Sequence, residues 1–294
     1  MWQMTKIFKL KGSEYMLSTK NLYAMNIHYR YYSLEYFFAE ASKNGFQNAE
    51  IWLCPQHFLI NYKDSENPRK LVDLAKKYSV NIKCLCPEQN NPKPNNIAAR
   101  DELLIDNTFN YFKKVIDLAN DIGCQKVLVT PGWNYYDEEL SEARKRSTLM
   151  LQRICDYAKT KGIILVLESI WNHSSQIATN ITEIKELKAA VNRKNLKLTI
   201  DLGAITAANE SIDNWFHTFG KDIEHCHFVD GNPTGHFSWG RGARNMLEDI
   251  KVFNKYHYDG GLSFEFVNPV CYRSPQIEDR RTIEIFNSCL KYLQ

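Results

Sequence analysis

Short, largely apolar runs alternate with amphipathic stretches along almost the whole chain. The runs cover 22–28, 49–53, 80–86, 125–129, 163–167, 196–200, 223–229 and 262–266, each of strand length. Between them apolar residues recur at helical spacing over 33–43, 67–78, 100–122, 138–161, a segment opening at Ile181 and Thr182, 213–220, 245–256 and 276–293. Local signals mark the ends: Ser33 is placed to cap the first helix, and Asn44-Gly45 to close it. Eight strand–helix alternations in 294 residues predict one α/β domain, a closed (β/α)8 TIM barrel over the whole chain, with residues 1–20 as a short N-terminal extension outside it. An open doubly wound sheet is the second possibility, although no G-x-G-x-x-G follows the first strand.

A barrel of this kind carries its chemistry at the carboxyl ends of its strands. Four successive predicted strands there offer a group able to hold a metal: Glu168, Asp201, His227 and Glu265. Three carboxylates and one imidazole suit a single hard or borderline divalent ion such as Mn²⁺, Mg²⁺ or Co²⁺, with Zn²⁺ also admitted, whereas a structural zinc site would use more sulfur. The alternative is that each carboxylate merely caps the following helix. In His225-Cys226-His227, period-two alternation puts both imidazoles on one face, so His225 either packs or orients His227.

Composition narrows the partners. Net charge is +3 and spread without long runs, so no basic face for nucleic acid is expected, while a small anionic substrate remains admissible. The cysteines are scattered; Cys84, Cys86, Cys124 and Cys226 sit in or beside apolar runs as small hydrophobes, without paired zinc spacing. No signal-peptide core or membrane-length segment is found, and the expected setting is a reducing cytoplasm. Loop residues add substrate-binding candidates: His57 at the rim, Glu88 in a long Pro/Asn-rich loop, Trp133 as an apolar wall, and His236 with Arg241 in a Gly-rich segment where many barrels hold phosphate. For each, a packing or solvated role stands beside the functional one. Oligomeric state is left open, a homo-oligomer included.

The ligand series, His-x-His-x-x-Asp at 225–230 and Gly240-Arg241-Gly242 resemble the xylose-isomerase-like barrel superfamily of sugar isomerases, ketose 3-epimerases and endonuclease IV. Ala49-Glu50-Ile51-Trp52 with Pro55 and His57, Cys86-Pro87-Glu88-Gln89-Asn90 and Phe264-Glu265-Phe266-Val267 narrow the resemblance to the ketose 3-epimerases, in particular the fructoselysine 3-epimerase group. The resemblance implies that Glu168, Asp201, His227 and Glu265 bind the metal and that Glu168 and Glu265 are also acid and base. Such a site inverts a sugar carbon through an enediolate, one carboxylate taking a proton from one face and the other returning it to the opposite face. Ala204 and Pro233 stand where epimerases of free ketohexoses often have His and Arg, so the resemblance extends further for the metal site than for the substrate. Thr130, Ala204 and Thr234 stand where endonuclease IV has further ligands, so its three-metal cluster is not expected. The expected activity is isomerase, most specifically C3 epimerisation of a ketose or fructosamine-type sugar. An inosose dehydratase or a hydroxypyruvate isomerase-like enzyme is the alternative within the enzymes, and an endonuclease IV-like DNA repair enzyme or a catalytically silent sugar-binding barrel is the alternative of another class.

Overall fold

Each apolar run becomes a strand that pairs in parallel with the next, which is possible only because a helix carries the chain back across the outside. The computed structural model describes residues 16–89 and 93–294. The strands are β1 (Leu22–Met25), β2 (Asn48–Leu53), β3 (Asn81–Pro87), β4 (Lys126–Val129), β5 (Ile164–Glu168), β6 (Leu196–Asp201), β7 (Ile223–His227) and β8 (Gly261–Ser263). They are hydrogen-bonded in sequence order, and β8 returns to β1, so the barrel is closed.

Around it run α1 (Leu34–Lys43), α2 (Arg69–Tyr78), α3 (Glu102–Asp121), α4 (Leu140–Thr160), α5 (Ile181–Val191), α6 (Leu202–Ala207), α7 (Ile212–Phe219), α8 (Met246–Lys255) and α9 (Pro275–Leu293). Ser33 caps α1 as predicted, accepting the Tyr36 N–H. Leu165, Leu167, Leu198, Ile200, Phe112, Leu151 and Trp215 belong to the large core where strands meet helices. A smaller cluster holds Met25, Ile27, Cys84, Cys86, Leu128 and Val166. The cysteines are free, and all but Cys289 are buried, in keeping with a packing role. No helix among the described residues is long and apolar enough to cross a membrane.

The differences from the sequence-based expectation lie mostly at strand ends. The run at 22–28 divides into β1 and a 3-10 turn, Asn26–Tyr29. Strand β8 ends at Ser263, after which Glu265 and Phe266 donate their N–H groups to carbonyls only two residues back, at 3.1 and 3.0 Å. Tight turning there replaces the expected strand through Phe266. Helix α6 was not anticipated, since six residues are too few to show periodicity. Residues 1–15 of the predicted extension lie outside the described residues, whereas Leu17 is buried and donates its N–H to Asn254 Oδ1 at 2.8 Å.

Candidate active site

The register of the second half of the barrel sets the height of each chemical group. Glu168 lies beside Thr199, Asp201 beside His227, and His227 beside Ser263. Glu265 follows two residues beyond Ser263, so four successive elements deliver their groups to one point. One ligand atom from each of Glu168, Asp201, His227 and Glu265 lies within 4.8 Å of all the others, and all four residues are buried. His227 Nδ1 is 2.5 Å from Glu168 Oε1 and 3.1 Å from Glu265 Oε2.

These contacts are close, yet Glu168 Oε1, His227 Nδ1 and His236 Nδ1 are buried without a hydrogen bond of acceptable geometry. Orphaned buried atoms of this kind require explanation, and a shared divalent cation supplies one. The oxygen-rich donor set with one imidazole fits Mn²⁺, Mg²⁺, Co²⁺ or Zn²⁺. Asp201 caps a helix and still has an oxygen free to face the cluster. Its Oδ1 caps α6, accepting N–H bonds from Gly203 at 2.6 Å and Ala204 at 3.1 Å, while Oδ2 faces His236 Nε2 at 3.1 Å.

His236 is the fifth member, with Nδ1 2.9 Å from Glu265 Oε2. It joins the metal-capable carboxylates rather than forming a phosphate site with Arg241. Burial disfavours its charged form, but Asp201 and Glu265 outweigh that and hold its pKa well above the usual value. Space for the ring depends on Gly203, because a Cβ there would sit 2.6 Å from His236 Cδ2. The segment bearing His236 is tied down by buried Asp230, whose Oδ1 accepts from the Gly231 and Arg244 amides and whose Oδ2 accepts from Gly240 and Gly242.

The two glutamates differ electrostatically. Burial raises the Glu168 pKa to about 7 against the pull of His227. Burial acts on Glu265 as well, but His227 and His236 together overcome it and lower the value to about 2. One carboxyl therefore tends to keep a proton while the other tends to lose it, before any cation enters.

One buried acid was missed. Glu50, in the middle of β2, reaches across the barrel interior to His225, Oε2 to Nε2 2.8 Å, and lies 3.3 Å from His227 Nε2. Its charge is favoured by both imidazoles in spite of the burial penalty. With Glu50 on its Nε2 side, His227 presents Nδ1 to the carboxylates. A carboxylate flanked by Ala49 and Ile51 in a buried strand was the available signal, since such a charge needs a partner.

The residue range 38–286 matches the family described as Xylose isomerase-like TIM barrel. The chain belongs to this family. A fructoselysine 3-epimerase of Shigella flexneri is 24% identical over 259 residues, covering 87% of this chain and 93% of the relative. A D-tagatose 3-epimerase-like protein superposes with a TM-score of 0.78 at 22% identity, covering 92% of this chain and 97% of that one. An L-ribulose 3-epimerase does so with a TM-score of 0.76 at 15% identity, covering 92% and 94%. At these identities the superpositions speak for the fold.

Within this xylose isomerase-like barrel, a cavity of about 450 Å³ opens onto Glu168, Asp201, His236 and Glu265. Its walls include Ile27, Trp52, Trp171, His173, Ser174, Val267 and Asn268. The remaining expected substrate contacts lie elsewhere. His57 is buried, 2.7 Å from Asn26 Nδ2 and 2.9 Å from the Tyr32 carbonyl, so it braces the β1 turn rather than the rim. Glu88 pairs with Lys93. Trp133 is fixed through its backbone to the Asn96 side chain, and Trp52 and Trp171 provide the indoles of the cavity instead. Arg241 spends its guanidinium on Glu278 of α9, at 2.7 and 2.6 Å, and is not part of the cavity wall.

Proposed function

We propose that this protein is a divalent-metal-dependent sugar epimerase that inverts C3 of a ketose or a fructosamine-type sugar. The convergence of Glu168 and Glu265, from opposite sides of the β5–β8 arc, on the point shared with Asp201 and His227 carries the reading. The fructoselysine 3-epimerase relative supports it. Glu168, Asp201, His227 and Glu265 would hold the metal, which when bound would polarise the carbonyl and adjacent hydroxyl of the sugar and so acidify the hydrogen on the carbon concerned.

The chain's own residues supply the rest. An ionised carboxylate removes the C3 hydrogen on one face, and a protonated carboxyl returns a hydrogen on the other; the opposed pKa shifts of Glu265 and Glu168 suit that division. In the reverse direction the roles exchange. His236, within reach of Glu265, steadies the carboxylate as its charge changes. Trp52 and Trp171 offer apolar faces to the sugar ring or chain, while His173, Ser174 and Asn268 offer hydrogen bonds to hydroxyls. Burial of the two glutamates limits exchange with bulk water between the two proton transfers.

The test is product analysis after incubating Mn²⁺-loaded protein with a panel of ketoses and fructosamine conjugates. A C3-inverted product of unchanged mass is expected. Loss of water would replace the reading with a dehydratase, and carbonyl migration with an aldose–ketose isomerase.

A further inference from the structure

The cavity that receives Glu168, Asp201 and Glu265 is also walled by Arg30 and Trp52. Arg30 leaves the turn after β1, and its Nε donates to the Ile27 carbonyl at 3.0 Å. Its guanidinium lies 5.2 Å from the Trp52 ring centre and 4.3 Å from that of Tyr272. Aromatic faces on two sides fix the plane of the group without neutralising it. Among the described residues it has no carboxylate partner, and neither terminal nitrogen donates a hydrogen bond to them. By contrast Arg100, Arg144, Arg146, Arg193, Arg241, Arg244 and Arg281 are each paired with an acid.

The scaffold under this fork is rigid. Buried Asp279 of α9 takes His28 Nε2 at 2.9 Å and the Tyr29 hydroxyl at 2.6 Å, two residues and one residue before Arg30. Buried Asn26 clamps Trp52, accepting its N–H at 2.7 Å and donating to its carbonyl at 2.9 Å. Arg30 and its aromatic neighbour are therefore positioned before any ligand arrives, which lowers the ordering cost of binding. Lys93 adds positive charge beside Trp52, tempered by its pairing with Glu88.

A neutral ketose offers this guanidinium only hydroxyl and carbonyl oxygens, whereas an anion would also meet its uncompensated charge. We propose that Arg30 anchors an anionic group, a phosphate or a carboxylate, carried by the substrate some distance from its reacting carbon. The inference rests on the sugar reading of the site and narrows its substrate class to acidic or phosphorylated ketose derivatives. The fork geometry of Arg matches two oxygens of either anion.

The test measures dissociation constants on the Mn²⁺-loaded protein for D-fructose, D-fructose 6-phosphate and N-fructosylglycine, each at low and high salt. An anionic ligand should bind roughly ten- to a hundredfold more tightly than D-fructose, the range for hydrogen bonds to charged groups, with the advantage reduced by salt. Which of the two is preferred separates phosphate from carboxylate. In Arg30→Met an unbranched apolar stem remains between Trp52 and Tyr272, so the advantage should vanish because the anionic ligands lose at least tenfold more affinity than D-fructose does; Arg30→Lys should keep part of it. Equal affinity for all three ligands, or none for any, would overturn the proposal. So would a preference that survives Arg30→Met, which would place the anion on the metal, or an equal loss for all ligands, which would make Arg30 a structural brace. Hydrogen exchange at C3, followed separately by NMR, reports on the epimerase reading. An anionic preference without exchange sustains the Arg30 assignment and sinks the epimerase, and exchange without preference does the reverse.

Discussion

Replacing Asp230 by Asn changes one atom's chemistry and almost no volume, so the cost comes from hydrogen bonds alone. The carboxylate receives four backbone N–H bonds, at 2.8 Å from Gly231 and 3.0 Å from Arg244 on Oδ1, and at 3.1 Å from Gly240 and 2.8 Å from Gly242 on Oδ2. Whichever way the amide turns, its NH₂ faces two N–H donors and leaves both unsatisfied. At about 1–3 kcal/mol for each buried donor so orphaned, the cost is about 2–6 kcal/mol. Since the Gly240, Gly242 and Arg244 bonds are only part-buried, the lower part of that range, about 2–4 kcal/mol, is expected. Urea denaturation of both proteins, with the midpoint shifted and the slope unchanged, is the assay. Activity should fall further than stability alone explains at working temperature, because the same segment carries His236. A destabilisation below about 0.5 kcal/mol, the level of an ordinary surface change, would refute the reasoning.

Four other substitutions probe the site directly. Glu50→Gln removes the charge facing His225 and His227 and should weaken Mn²⁺ binding by about ten- to a hundredfold in a chelator competition; an affinity within threefold of the parent would show that Glu50 has no hold on the metal site. Glu168→Gln and Glu265→Gln should each lower kcat by about a hundredfold or more while sugar binding persists, so undiminished turnover in either would end its role as acid or base. Gly203→Ala puts a methyl against the His236 ring and should cost about 1–3 kcal/mol by overpacking, along with activity. Unaltered thermal stability and rate would mean that the ring has room to move.

Much of the architecture was legible because hydrophobic period and strand length agreed throughout, and because a barrel places strand ends together. Glu168, Asp201, His227 and Glu265 could be picked out as the polar ends of apolar runs. What escaped was set by contacts distant in sequence. Arg241 reads as a free loop cation until α9 brings Glu278 to it, and His57 reads as a rim residue until Asn26 and the Tyr32 carbonyl occupy both ring nitrogens. Trp133 and Trp171 both come after strands, and nothing local distinguishes the loop that folds over the cavity from the one that does not. Glu50 is visible within Ala49-Glu50-Ile51-Trp52, where the sequence alone shows a motif and not the partners that a buried charge requires. Its two imidazoles lie 175 or more residues away.

The most direct trial of the central claim tracks the hydrogen itself. In D₂O, with Mn²⁺ and a ketose or fructosamine substrate that the protein turns over, two carboxyl groups acting from opposite faces should place deuterium at C3 of the inverted product, with a single deuterium and an otherwise unchanged mass. Proton and deuterium NMR of the isolated product reads both position and configuration. Inverted product free of deuterium at C3, or label at C1 or C2 with the carbonyl moved, would contradict the assignment of Glu168 and Glu265 as the two proton-transfer groups of a C3 epimerase.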